Sequence, residues 1–163
     1  MRKFIVFSIL LLMLAGFVIN SSAVDVTLKA DQIIDVGTLT VAIDVNGDLV
    51  VTYAITTPWV LGDTHLYVGT AAPTKSAPGR FPYGPEDAIG GVYTIDLTNF
   101  ITDFTVPTTL YIAAQAEVTN PTEDDPNTGE PPREETAWAD GIQIRLGKNW
   151  AMYFEFSVPV VEP

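Results

Sequence analysis

From Val24 onward, apolar and polar residues take turns along the chain, and no helical period is sustained anywhere in that stretch. Val24, Val26, Leu28 and Ala30 face one way, with Asp25, Thr27 and Lys29 between them. Leu39, Val41, Ile43 and Val45 repeat the alternation, followed by Leu49, Val51, Tyr53 and Ile55. Leu66 and Val68 mark a strand in 64–70, and Tyr93, Ile95 and Leu97 another in 92–98. Leu110, Ile112, Ala114, Ala116 and Val118 form the cleanest inward set. Ile142, Ile144 and Leu146 come next, then Trp150, Met152, Phe154, Phe156 and Val158, of which this reading assigns Trp150, Phe154 and Phe156 outright to the core. Half-polar strands of this kind predict an all-β fold, an antiparallel β-sandwich of about eight strands, immunoglobulin-like or jelly-roll-like.

Side-chain parity constrains the turns. Opposed residues of an antiparallel pair share a face, so an apolar set must meet an apolar set. A two-residue Asn46-Gly47 turn would mix the faces, so the spacing predicts an odd loop, most simply of three residues. The same argument places Leu146 opposite Trp150 and Ile142 opposite Phe154 across Gly147-Lys148-Asn149. Asp31 to Gly37 reads as a flexible link. Residues 71–91, rich in proline and glycine around Arg80-Phe81-Pro82-Tyr83, read as a long loop with an aromatic centre. Pro121 to Glu135 holds four prolines, six carboxylates and one arginine, which predicts a surface loop.

The first residues change the picture of where the protein works. Arg2 and Lys3 precede an apolar run from Phe4 to Ile19, and Ser21 and Ala23 stand at −3 and −1 of a cleavage site. This predicts a signal peptide over 1–23, cut after Ala23, a single domain over 24–163, and a secreted, extracellular protein with no membrane span after cleavage. Removing Arg2 and Lys3 from the 8 Lys/Arg leaves 6 against 20 Asp/Glu, a net charge of −14. Such a surface repels nucleic acid. The chain has no cysteine, so packing, ions or assembly must stabilise it outside the cell.

Candidate chemistry is sparse. His65 is the only histidine, and no cysteine or Gly-flanked serine elbow accompanies it, so no catalytic set is predicted. Glu123, Asp124, Asp125, Asn127, Glu130, Glu134 and Glu135 could collect oxygens around calcium, of which Glu123, Asp124, Asp125, Asn127, Glu130 and Glu135 are the metal candidates. Their spacing fits no defined calcium loop. Trp59, Phe81, Tyr83 and Trp138 are the aromatic loop candidates for binding a glycan or a cell-surface protein, set against packing over the ends of the core. The strand 24–30 could instead serve as a donor to a neighbouring copy, giving self-association.

Thr64-His65-Leu66-Tyr67-Val68, Pro78-Gly79-Arg80-Phe81-Pro82-Tyr83, Leu110-Tyr111-Ile112-Ala113-Ala114-Gln115-Ala116, Glu135-Thr136-Ala137-Trp138-Ala139 and Asn149-Trp150-Ala151-Met152-Tyr153-Phe154 form an ordered series over residues 37–158. In this series the chain resembles a poorly characterised β-rich extracellular domain of secreted bacterial and archaeal proteins, found alone or fused to surface-anchoring and adhesive modules. The resemblance implies a secreted β-sandwich and no catalytic residue. Gln115 stands where that resemblance would place a histidine, which removes a histidine pair with His65. The expectation is a secreted, non-catalytic module for extracellular binding, adhesion or surface structure. A self-assembling filament subunit and a calcium-stabilised domain are its alternatives.

Overall fold

The computed structural model describes residues 23–160; the export signal read over 1–23 lies outside them apart from Ala23. The chain is all-β. Its strands are β1 (Val24–Ala30), β2 (Ile34–Ile43), β3 (Leu49–Ile55), β4 (Val60–Gly69), β5 (Val92–Ile95), β6 (Thr108–Asn120), β7 (Arg133–Ala139), β8 (Ile142–Gln143) and β9 (Met152–Val158). All pairings are antiparallel, in the order β5-β3-β2-β1-β7-β6-β9-β8, with β4 also on β6.

The 13-residue β6 is the strand on which the arrangement turns. One edge carries β4, from Gly69↔Tyr111 to Val60↔Thr119. The other edge is divided, with β9 along Thr108 to Ile112 and β7 along Gln115 to Asn120. Leu110, Ile112, Ala114, Ala116 and Val118 all lie in the main core, as their alternation predicts. They meet Leu39 and Val41 of β2, Leu49 and Val51 of β3, and Phe154 and Phe156 of β9 in one cluster.

Several local readings need correction. Asp31 and Gln32 do not form a flexible link: both take positive φ, 46° and 64°, and close a tight hairpin between β1 and β2. The β2–β3 connection keeps the predicted parity with five residues in place of three, since Ile43 pairs with Leu49. Asp44 explains the length. Its Oδ1 accepts from the Asn46 and Asp48 backbone N–H groups at 2.8 and 3.0 Å, Gly47 supplies φ +88°, and Val45 is left exposed. Residues 133–135, read as the end of a surface loop, instead open the strand β7 that joins β1 to β6.

The last hairpin differs by one residue from the expected register: Ile142 pairs with Tyr153 and Gln143 with Met152. That slip reverses the faces, so Ile142 and Leu146 are exposed and not in the core. Gly141 sits so close under β9 that any Cβ would collide with the Tyr153 carbonyl.

A bulge in β4 decides which way the histidine points. Leu61 pairs with Val118 but Thr64 with Ala116, so the bulged β4 has one residue more than β6 between those two pairs. Leu61 and Leu66 are five apart in sequence, yet both pack on the main core. The inserted residue restores the phase, turning Thr64, Leu66 and Val68 inward and His65 and Tyr67 outward. Two buried tyrosines lock the bulged strand. Tyr53 Oη donates to the His65 carbonyl at 3.2 Å, and Tyr93 Oη lies 2.9 Å from the Thr64 carbonyl and 3.0 Å from that of Gly84.

Candidate functional site

The outer face of the sheet carries aromatic rings mixed with polar and charged side chains. Strand register sets them in a row. His65 on β4 lies opposite Gln115 on β6, Gln115 opposite Trp138 on β7, Trp138 opposite Lys29 on β1, and Lys29 opposite Asp35 on β2. Directly opposed residues share a face with adjacent side chains, so five strands contribute one residue each. The ends of the row are tied: His65 Nδ1 lies 2.9 Å from Gln115 Oε1, and Lys29 Nζ lies 2.7 Å from Asp35 Oδ1. The hydrogen bond to Asp35 raises the Lys29 pKa above its ordinary value.

Over this row lies a chain of rings. Tyr67 to Phe81, Phe81 to Trp138 and Trp138 to Trp150 have centroid distances of 6.0, 6.0 and 6.5 Å, the last two edge-to-face. With Ala113, Ala151, Ile144, Met152 and Tyr153 they form a second, smaller apolar cluster on the side of the sheet opposite the main core. Ala113 is what makes room. A larger residue at that outward position of β6 would occupy the space that Phe81 and the indoles fill.

Two clefts open on either side of the indole pair, and Trp138 and Trp150 line both. One, about 390 Å³, runs between the indoles and the loop at Ser76–Gly79, with His65, Gln115, Glu117, Thr136 and Asn149 in its walls. Its loop wall is fastened by Asn149 Nδ2, which donates to the Ser76 carbonyl at 3.3 Å. The other, about 300 Å³, lies toward the β1–β2 turn and is lined by Lys29, Gln32, Asp140 and Gln143. Both volumes lie near or within the ~300–1,000 Å³ typical of small-ligand sites.

The aromatic candidates divide. Trp138 and Phe81 meet in the outer cluster, although Trp138 stands on β7 and not on a loop. Tyr83 is half-buried, adds a bridge to Leu66 at the open edge of β4, and has its pKa raised chiefly by burial. Trp59 is 8% exposed and packs on the main core, with the Arg133 guanidinium 6.0 Å from its ring. Neither Trp59 nor Tyr83 joins the indole pair. Trp150, assigned to the core from its alternation, is half-buried in the outer cluster.

The acidic candidates do not assemble around a common point. Glu123 and Glu135 both engage Arg133, at 2.7 and 2.9 Å, and Glu123 also accepts from Asn120 Nδ2. Asp125 accepts from the Asn127 backbone N–H at 2.6 Å, which lowers its pKa. Asp124, Asn127 and Glu130 are exposed on the same loop. Among the described residues, no group of three or more His, Cys, Asp or Glu is placed to hold a metal ion.

Sequence reasoning named His65, Gln115 and Trp138 separately, without their contiguity, and missed Trp150, Asn149 and Thr136 as site residues. No helix among the described residues is long and apolar enough to cross a membrane. No protein-family model matches the chain, and no curated protein or solved structure matches it either.

Proposed function

We propose that this chain is a secreted, non-catalytic module for extracellular binding or adhesion, a two-layered β-sandwich that works through the outer face of β4, β6, β7 and β9. The layering is supported by contacts between strands that share no ladder. Tyr53 of β3 and Tyr93 of β5 reach backbone carbonyls of β4, and residues from both sides share one core. Export rests on the Arg2-Lys3 and Phe4–Ile19 pattern, and the acidic surface keeps nucleic acid out of the list of partners.

One observation carries the reading: a half-buried Trp150 in a T-shaped pair with Trp138, with a cleft on each side walled by polar side chains. A ring kept partly open beside amides, an imidazole and a carboxylate is equipped to recognise a ligand by stacking and hydrogen bonding. The main core already holds Phe154, Phe156 and Tyr93, so these indoles are not needed to fill it.

The test is attachment. The purified protein is applied to immobilised cell-wall and cell-surface preparations, and its retention is compared with that of Trp150→Ala. Retention by the native protein that falls at least tenfold in the variant is the expected result. Equal retention of the two, or none by either, overturns the proposal.

A further inference from the structure

The larger cleft contains an amide whose placement packing does not explain. Gln115 is 3% exposed in a strand whose neighbouring positions are Ala113, Ala114 and Ala116. Its Oε1 is engaged with His65 Nδ1 at 2.9 Å. Among the described residues its Nε2 has no hydrogen-bond partner, yet no buried side-chain nitrogen or oxygen is left unsatisfied. The two facts agree when Nε2 keeps a small exposure, and the cleft is the surface that Gln115 lines. A side chain buried this far in an alanine-rich strand carries a desolvation cost that an apolar residue would avoid.

The pairing also fixes the imidazole. Gln115 Oε1 only accepts, so His65 Nδ1 carries a proton, and in that tautomer of the imidazole Nε2 is an acceptor. A donor and an acceptor therefore stand side by side on adjacent strands, which suits a hydroxyl group that donates and accepts at once. Around them the walls of the cleft add Thr136, Glu117 and the Trp150 indole.

We propose that the cleft between Gln115 and Trp150 binds a neutral pyranose unit of a polysaccharide, its C–H face on the Trp150 indole and its hydroxyls on Gln115, His65 and Glu117. This rests on the binding-module reading above and names its ligand. A sugar ring pairs an apolar C–H face with a rim of hydroxyls, and the walls offer the complement of each. Charge selects the neutral class. Among the described residues no Lys or Arg lines this cleft, Glu117 stands in its wall, and the full chain carries a net −12, so phosphate, uronate and sialate are repelled. The concavity, about 390 Å³, fits a small ring better than the flat, larger area a protein partner covers.

The experiment titrates the purified protein with neutral monosaccharides and oligosaccharides of glucose, galactose, mannose, xylose and N-acetylglucosamine, with galacturonate and sialate as anionic controls. Heat of binding and tryptophan fluorescence are the readouts. At least one neutral series should bind with Kd of about a millimolar or tighter, as a ligand of a dozen or so heavy atoms allows. Gln115→Glu keeps the acceptor for His65 and removes the donor; it should weaken binding by about tenfold, the value of one hydrogen bond lost to a buried partner. Trp150→Ala, at a half-exposed position, should abolish both binding and the fluorescence change. Thermal melting shows whether each variant folds, and Thr136→Arg, exposed at the cleft wall, blocks the same site without touching the core.

Neutral-sugar binding that survives all three substitutions overturns the assignment of the site. Preference for the anionic sugars overturns the ligand class. If no sugar binds while attachment to surfaces persists and still depends on Trp150, this inference falls and the binding-module reading stands. If attachment is absent too, both fall.

Discussion

β6 has two faces, and they are built on opposite principles. The inward face is a close-packed aliphatic row, Leu110, Ile112, Ala114, Ala116 and Val118, each 1% exposed or less. The outward face of the same strand reads Tyr111, Ala113, Gln115, Glu117, mixing a ring, a gap, an amide and a charge. One backbone supports both because alternate side chains leave it in opposite directions. The inner face earns stability from uniform apolar burial, whereas the outer face leaves space beside its rings. On the proposed reading stability and recognition fall to alternate residues, and substitutions on the two faces should separate them.

The largest effect belongs inside. Ile112→Ala removes methyl and methylene groups from a fully buried site and should cost about 2–5 kcal/mol in urea unfolding, with no specific effect on ligand affinity in the folded fraction. Tyr93→Phe comes next. It leaves the carbonyls of Thr64 and Gly84 and the Thr64 hydroxyl without the phenol that links them, for a loss of about 1–3 kcal/mol. Trp150→Ala should lower stability by only about 1 kcal/mol, because the ring is half-buried, while removing attachment altogether. A Trp150→Ala loss as large as that of Ile112→Ala would break the division between the faces.

The smallest effect sharpens the comparison at the turn that aligns β2 with β3. Hydrogen bonding from the Asp48 N–H, and then from Asn46, holds the Asp44 pKa below the ordinary carboxylate value. A depressed carboxylate contributes stability that is present above its unfolded pKa and lost as pH falls through the folded one. Melting of wild type and Asp44→Asn should therefore differ at neutral pH and converge in acid. A gap that persists below the folded value would show that the Asp44 charge is not what holds the loop.

The inner face was legible in the sequence because burial on one side leaves a period-two trace, which β3 and β6 follow throughout, whereas the first residues of β2 were read as a link and β4 loses the period at its bulge. β7 escaped because its inward positions near the end are Ala137 and Ala139, too small to register as a strand core despite complete burial. The β8–β9 register was misjudged because the chain between them closes irregularly. Ile144 N–H bonds to Ala151 O at 2.8 Å, and Gly147 adopts φ +71°, which moves Ile142 and Leu146 to the surface. The β2–β3 loop length depended on Asp44 accepting two backbone protons, a three-dimensional fact with no periodic signature.

The outer site was legible only in fragments. His65 and Trp138 each drew notice alone, and Gln115 drew it as an unexpected amide. Their adjacency comes from strand pairing between residues 50 and 23 positions apart, which alternation does not encode. Trp150 was hidden for the opposite reason. It falls in phase with Phe154 and Phe156, yet the chain before β9 departs from the sheet, so phase there no longer reports which side a ring faces.

The divided edge of β6 has a mechanical consequence. β9 hangs from five of its residues and β7 from six others, and β1 joins the group only through β7 on that side. The shortest hydrogen-bonded route between the first strand and the last runs through the ladders β1–β7, β7–β6 and β6–β9, alongside the path that follows the chain through β2, β3 and β4. The Gln115–Trp138 pair sits in the middle ladder of that route, so a pull applied across β1 and β9 loads the two strands that carry this amide and this indole.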